Sequence, residues 1–211
     1  MTVRQFFFVC HRAMIISVTK FNRYTLDQFW NSISIAKAGA INGQFFNDGK
    51  SPTTLSFDVR TSNSPIYGQD PGYSPKKQIE FFSSGVYTGP ENRSRIDYGP
   101  APNIMVGLDP LQNDKRGWAS IGRTFVCTKA NPAAPMSPSQ WFVALVSEKS
   151  TQTNAYNAIN AWGCDYNSIV MFDGSGSAQL RTQGGIRVMG SANMVYGENR
   201  AIPQSVVISN N

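Results

Sequence analysis

The sequence predicts an α+β fold in which a twisted, largely antiparallel or mixed sheet carries two main helices and long loops. Apolar stretches of strand length recur along the chain, and two segments place apolar residues at helical spacing. Hydrophobic residues make up 41% of the 211 residues and aromatic residues 12%, which is ample for a core. No charged or low-complexity linker divides the chain, so we expect one domain over residues 1–211.

Two strands and a helix are expected first. Residues 3–18 are rich in Phe, Val and Ile without a helical period, which predicts one or two strands. Thr25 is followed three residues later by Gln28, a capping box that predicts a helix over 25–38, ending near Gly39. A short strand over 40–46 then turns sharply at Asn42-Gly43.

Residues 47–102 are dominated by Ser, Pro, Gly and Asn. This composition predicts short strands joined by long loops, with strand-like pieces at 54–59 and 79–82. Surface loops are the simpler interpretation, although a loop-rich region of this kind can also cover a site and set its selectivity.

The C-terminal half is expected to contain a hairpin, a helix and a buried strand. Apolar runs at 121–129 and 141–148 predict two paired strands. Apolar residues at helical spacing predict a helix over 151–162, with Gly163 placed to end it. Residues 168–172 then form a buried strand. If the strands before and after this helix are parallel, the crossover leaves Asp173 beside a cleft.

The few cysteines and the single histidine exclude several kinds of site. Cys10, Cys127 and Cys164 are too scattered for a disulfide framework and are predicted to be buried free thiols. With His11 as the one histidine, a multi-His zinc site and a Ser-His-Asp triad are both hard to build. A cysteine hydrolase is therefore a distant alternative.

The net charge of +6 arises from 19 basic and 13 acidic residues, and the basic ones are scattered. A diffuse positive charge favours anionic partners, which include both phosphate-bearing sugars and nucleic acids. Because the basic residues are scattered and form no block, nucleic acid is the weaker alternative. No stretch approaches the roughly 20 apolar residues of a membrane span, and no signal-peptide layout is present. We therefore expect a soluble, cytoplasmic or phage-associated protein, or a mature form without its leader.

A polar turn after the last predicted strand could carry chemistry. Asp173 stands where the strand over 169–172 stops, and Gly174-Ser175-Gly176-Ser177 follows. Successive amides of such a turn can form a concave anion-binding nest, so a phosphate could rest there while Asp173 faces the reacting carbon. Taken alone, the pattern is also that of an ordinary turn.

Three motifs in order give the chain a family resemblance. They are Ala40-Ile41-Asn42-Gly43-Gln44-Phe45-Phe46, Met171-Phe172-Asp173-Gly174-Ser175-Gly176-Ser177-Ala178, and Arg200-Ala201-Ile202-Pro203 followed by an apolar strand. With these motifs the chain resembles the phosphodiester glycosidase family. The chain departs from the family pattern at three places. Ser175 replaces a Gly and Ala178 a Ser, and Asn47 stands where an Asp is frequent, with Asp48 as the alternative carboxylate. The segment Trp118-Ala119-Ser120-Ile121-Gly122 begins with Trp where relatives have an Arg.

The resemblance implies hydrolysis between the anomeric carbon of a sugar and the phosphate of a phosphodiester. It implies that Arg200, with Arg116 or Arg123, clamps the phosphate, since guanidinium matches phosphate oxygens bidentately. Asp173 would stabilise the oxocarbenium-like centre or activate water. Asn42 would hydrogen-bond sugar hydroxyls or position water. The remaining substrate contacts are expected at Gly43, Asp48, Gly174, Ser175, Gly176 and Ser177.

Several points stay open at the level of sequence. A second carboxylate could come from Asp48, Asp109, Asp165 or Glu198. No cofactor is expected and no metal-ligand spacing is present, although a divalent metal near Asp173 stays an alternative. The main competing hypothesis is a non-catalytic glycan-binding or phage structural module of the same fold.

Overall fold

In the computed structural model, two antiparallel sheets face each other and helices cover their outer faces. The structure describes residues 5–10, 14–18, 23–47, 49, 53–70, 72–130, 140–191 and 200–209. The α+β class predicted from the sequence is confirmed. Along the chain the elements are β1 (Gln5–Cys10), β2 (Met14–Val18), α1 (Leu26–Ser32), β3 (Lys37–Asn42), β4 (Phe46–Asn47), β5 (Thr54–Leu55), β6 (Val59–Thr61), β7 (Ser64–Ile66), β8 (Lys76–Phe82), β9 (Gly85–Pro90), α2 (Arg93–Tyr98), β10 (Asn103–Leu108), β11 (Ile121–Ala130), β12 (Gln140–Ser150), α3 (Gln152–Ala161), β13 (Val170–Met171), β14 (Gln179–Thr182), β15 (Arg187–Met189) and β16 (Gln204–Ser209).

Among the described residues, the larger sheet has nine strands and the smaller has five. The larger follows the order β1-β12-β11-β13-β10-β6-β7, with β8 paired to β10 and β9 paired to β8. The smaller follows the order β15-β14-β3-β16-β2, so the late strand β16 lies between two early ones. Strands β4 and β5 form a separate ribbon.

Alternating apolar side chains hold four layers together. On β12, Ala144 faces the core between the sheets, whereas Val143 and Leu145 face the helix α3. On β16, Val206 faces the same inner core and Val207 packs under α1. Because successive side chains of a strand point to opposite faces, each sheet buries both of its faces.

The first helix begins where the sequence predicts and ends earlier. Thr25 Oγ1 accepts a hydrogen bond from Gln28 N at 3.3 Å, and Gln28 Oε1 accepts one from Thr25 N at 2.8 Å, which completes the capping box. The helix ends at Ser32 instead of residue 38, because Ile33 is extended (φ −102°, ψ 122°) and the chain enters β3 at Lys37. The predicted strand over 40–46 accordingly begins earlier and ends at Asn42.

The second predicted helix, over 151–162, is confirmed as α3 with Thr151 as its N-cap. Strand β11 pairs antiparallel with both β12 and β13, so these two strands run parallel and the predicted crossover is present. Within residues 47–102 the predicted pieces fall in β5, β6 and β8. This region also contains the unpredicted helix α2, whose first turn is capped by the Asn92 side chain.

The prediction of free thiols is wrong for two of the three cysteines. Cys127 on β11 and Cys164 after α3 form a disulfide, with their Cα atoms 6.1 Å apart. Helix α3 packs across β11, which brings residues 37 positions apart to a distance typical of disulfides. The Cys10 side chain and His11 lie outside the described parts of the structure. Among the helices that the structure describes, none has the length and apolar character needed to cross a bilayer.

Candidate active site

The candidate site lies where the two sheets meet, directly after β13. Phe172 N donates a hydrogen bond to Thr124 O on β11 at 3.0 Å, and Asp173 N donates one to Gly43 O at 3.3 Å. Gly43 follows the last residue of β3 in the smaller sheet. The chain therefore leaves the nine-stranded sheet at Phe172 and contacts the five-stranded sheet one residue later.

Asn42 links the two sheets at this point. Its Nδ2 donates to Asp173 O at 2.8 Å and to Gly43 O at 3.1 Å. Its Oδ1 accepts from Thr124 Oγ1 at 2.7 Å and from Gln179 N at 3.0 Å. The side chain is fully buried, and these four bonds use its whole hydrogen-bonding capacity. In this structure the Asn42 side chain fixes the backbone at Asp173 and is not exposed to solvent.

The turn after Asp173 is a single 3₁₀ turn, Ser175–Ser177. Asp173 is half-buried, and its Oδ1 accepts a hydrogen bond from Gly174 N at 2.9 Å. Ser175 has a φ of 56°, in the left-handed region that favours glycine. The Ser175 carbonyl oxygen lies so close to Gly122 and Gly190 that a Cβ at either position would clash with it. Two glycines thus accommodate the path of this turn.

A cavity of about 160 Å³ opens beside the turn. It gathers five of the residues predicted from sequence, namely Asp173, Gly174, Ser175, Arg116 and Arg123. Its other lining residues are Phe45, Lys115, Ile121, Met171 and Phe172. One carboxylate and three basic residues therefore share a small cavity.

Arg123 is buried beneath the loop that carries the other two basic residues. Its guanidinium donates to Lys115 O at 2.8 Å, Arg116 O at 2.6 Å, Ala119 O at 3.0 Å and Ser150 O at 3.3 Å. The pKa of Arg123 is lowered to about 10, chiefly because burial disfavours the charged form; the nearby charge of Asp114 partly offsets this effect, and that of Arg116 adds to it. The side chain holds the loop in place and leaves a positive charge next to the cavity.

The other two basic residues, Lys115 and Arg116, lie on that loop. Arg116 is exposed and adopts a φ of 52°, which turns the backbone sharply at this position. The Lys115 ammonium lies over the ring of Tyr73. Of the three basic residues, Arg116 is therefore the one whose side chain is most accessible to a bound anion.

Arg200 lies to one side of this cavity. Its guanidinium is 5.4 Å from the centroid of the Phe46 ring, and its carbonyl oxygen accepts a hydrogen bond from Gln179 Nε2 at 2.6 Å. Phe46 packs with the cluster under α1, whereas Phe45, which lines the cavity, packs with the cluster under α3. The structure connects Arg200 to Asn42 through Gln179 but does not bring it into the cavity lining.

The other predicted residues are distributed as follows. Gly176 and Ser177 are buried in the turn, and the Ser177 hydroxyl has no hydrogen-bond partner among the described residues. Asp109 and Asp165 line a different cavity, where Asp109 pairs with Lys77 at 3.2 Å. Asp48 and Glu198 lie outside the described residues.

Sequence reasoning missed two kinds of residue at this site. Lys115 and Phe45 line the cavity, and the only sequence signal for Lys115 is its place beside Arg116. Thr124 and Gln179 support Asn42 from two other strands, and no local pattern marks them. In the described parts of the chain, no group of three or more His, Cys, Asp or Glu side chains could hold a metal ion.

Comparisons with known proteins show a shared fold. No protein-family model matches the chain, and no curated protein sequence matches it. The catalytic domain of zebrafish N-acetylglucosamine-1-phosphodiester alpha-N-acetylglucosaminidase, auto-inhibited by its pro-peptide, is similar with a TM-score of 0.64 and 12% identity, over 99% of this chain and 84% of that one. A hypothetical protein from Synechocystis has a TM-score of 0.49 and 10% identity, over 94% of this chain and 57% of that one. The chain thus shares its fold with the zebrafish catalytic domain.

Proposed function

We propose that this protein hydrolyses the bond between the anomeric carbon of a sugar and the phosphate of a phosphodiester. The observation that carries the proposal is the cavity in which Asp173 lies with Arg116, Arg123 and Lys115. A carboxylate suits the positive charge that develops on a sugar ring, and clustered cations suit a phosphate. The three-motif resemblance and the fold shared with an N-acetylglucosamine-1-phosphodiester hydrolase support an N-acetylglucosamine-type substrate.

The reaction needs little acid catalysis from the protein. Water forms a bond to the anomeric carbon, the bond from that carbon to the phosphate oxygen breaks, and the phosphate leaves as a monoester with the electron pair. A phosphomonoester has a second pKa of about 6, so it departs without strong protonation. Asp173 either stabilises the oxocarbenium-like centre or accepts the proton from water, and Arg116 pairs with the departing phosphate.

Other residues are assigned supporting roles. Arg123 adds a fixed positive charge from below the loop, and its donors hold the loop carbonyls. Asn42 positions Asp173 through its backbone carbonyl instead of touching the sugar. Contact of Arg200 with the phosphate stays a prediction, since in this structure its guanidinium lies over Phe46.

The test is release of free sugar from a panel of sugar-1-phosphodiesters that includes N-acetylglucosamine-1-phosphodiesters and nucleotide sugars. Asp173→Asn should lower kcat by about 10³-fold or more, and Arg116→Ala should mainly raise KM. Asp165→Asn, at an exposed position away from the cavity, is the matched control and should leave both constants unchanged. Sugar release by Asp173→Asn at the wild-type rate would place the chemistry elsewhere.

A non-catalytic glycan-binding module is the second candidate function. The observation that favours it is that Asn42 uses all of its hydrogen-bonding groups inside the protein, so it cannot assist catalysis by contacting the sugar. Among the described residues that line the cavity, Asp173 is the one acidic residue. On this alternative, no substrate of the panel releases sugar, and Asp173→Asn retains ligand binding.

A further inference from the structure

A second cavity, of about 580 Å³, lies on the other side of the loop that Arg123 holds. It is formed by residues 110–118 and the beginning of α3, and its lining includes Leu111, Asp114, Trp118, Thr153, Tyr156 and Asn157. Trp118 is 80% exposed and Leu111 58% exposed. Single exposed apolar side chains are common on protein surfaces, but two that share one cavity with a tyrosine form a patch suited to a ligand.

The backbone that presents Trp118 is held from two sides. Gln152, which is 7% exposed, donates through Nε2 to Pro110 O and Asn113 O, both at 2.8 Å, and accepts from Lys115 N at 3.1 Å. Arg123 donates to the carbonyls of Lys115, Arg116 and Ala119. The loop is therefore ordered before any ligand arrives, and binding there would order little additional backbone.

The side chains that line this cavity indicate which class of ligand it can bind. Within the described part of the chain, the lining residues include no lysine or arginine, and Asp114 is their one charged side chain. A phosphate or another anion is therefore disfavoured in this cavity. Aromatic faces beside the hydroxyl, amide and carboxylate groups of Thr153, Asn157 and Asp114 match a sugar ring, which has an apolar C–H face and a hydroxyl-bearing edge.

We propose that this cavity is a binding site for an uncharged pyranose sugar, which stacks on Trp118 and hydrogen-bonds to Asp114 and Asn157. The cavity at Asp173 and this one are separated by a single loop, because Lys115 and Arg116 line the first while Asp114 and Gly117 line the second. The enzyme would then act on a glycan with uncharged sugars beside the phosphodiester. That extension rests on the proposed function, whereas sugar binding at Trp118 does not.

The test measures binding of short uncharged oligosaccharides of glucose, N-acetylglucosamine and mannose to the full chain, by saturation-transfer NMR and calorimetry. Trp118→Ala should weaken binding by about tenfold or more, and Asn157→Ala by a smaller factor. Trp162→Ala is the matched control, since Trp162 is 40% exposed at the other end of α3 and lines neither cavity. Asp173→Asn should bind these sugars with unchanged affinity.

The outcomes separate this proposal from the hydrolase proposal. Binding that Trp118→Ala abolishes and Asp173→Asn retains supports the sugar site, whether or not sugar release is ever detected. The proposal is overturned if the wild type binds none of the oligosaccharides, or if Trp118→Ala and Asn157→Ala both bind them with wild-type affinity. It is also overturned if sedimentation shows a dimer that Trp118→Ala dissociates while no sugar binds, because the occupant is then a second copy of the chain.

Discussion

Replacement of Asn42 by alanine is expected to lower the free energy of unfolding by about 4 kcal/mol. The side chain is fully buried and makes four hydrogen bonds, of which three join β3 to β11, β14 and the Asp173 backbone and the fourth is donated to the adjacent Gly43 carbonyl. A hydrogen bond of this kind contributes about 1 kcal/mol net, and its loss leaves buried partners unsatisfied. Asn42→Asp should be about as harmful, because a carboxylate of the same shape would face the carbonyls of Gly43 and Asp173.

Urea denaturation followed by tryptophan fluorescence measures this change. Asn160→Ala, at an exposed position on α3, is the control and should lie within about 0.5 kcal/mol of the wild type. A loss below about 1 kcal/mol for Asn42→Ala, with an unchanged denaturant slope, would refute the assignment of Asn42 as the residue that joins the two sheets.

Three further changes follow from the contacts of the site and core. Ser175→Gly should raise the free energy of unfolding by up to about 1 kcal/mol, because φ 56° is unfavourable for serine. Arg123→Lys should lower it by about 3 kcal/mol, because a lysine ammonium cannot reach all four carbonyls. Reduction of the Cys127–Cys164 disulfide should lower it by about 4 kcal/mol, the loop-closure value for a separation of 37 residues. Urea denaturation with and without reductant measures all three.

Each of these three predictions has an experimental outcome that would contradict it. Ser175→Gly that destabilises the protein would show that the Ser175 side chain makes a stabilising contact outweighing the strain. Arg123→Lys with wild-type stability would mean that the loop over residues 115–119 does not depend on the guanidinium. In a Cys10→Ser variant, thiol titration of the unfolded, unreduced protein should find no free thiol, and a titre of two would show that the disulfide is absent.

Local patterns predicted the elements that depend on local interactions. The capping box at Thr25 and Gln28 placed the start of α1, and helical spacing with Gly163 placed α3. The end of α1 was predicted too late, because pairing of Lys37 with Ser209 on β16 draws the chain into a strand. Helix α2 has six residues and one buried apolar side chain, which is too little for a periodic pattern.

Part of the candidate site was also predictable, because it depends on residues that are close together in the sequence. The Asp173 turn follows a buried strand in the sequence, and the structure places it at a cavity with Arg116 and Arg123. The inward placement of Asn42 and the disulfide between Cys127 and Cys164 depend on contacts between distant strands. Local patterns in one sequence do not show which distant strands pair, so neither feature could be predicted from them.

The position of β16 in the smaller sheet has a consequence for biosynthesis. Among the described strands, β2 pairs within that sheet with β16 alone, whereas β3 pairs with both β14 and β16. The earliest strand of the smaller sheet therefore has no partner there until residues 204–209 have been translated. Pairings between such distant segments form slowly, and unpaired strand edges invite aggregation. Chains truncated before residue 204 should therefore leave β2 unpaired, be more sensitive to protease than the 211-residue chain, and depend more on chaperones.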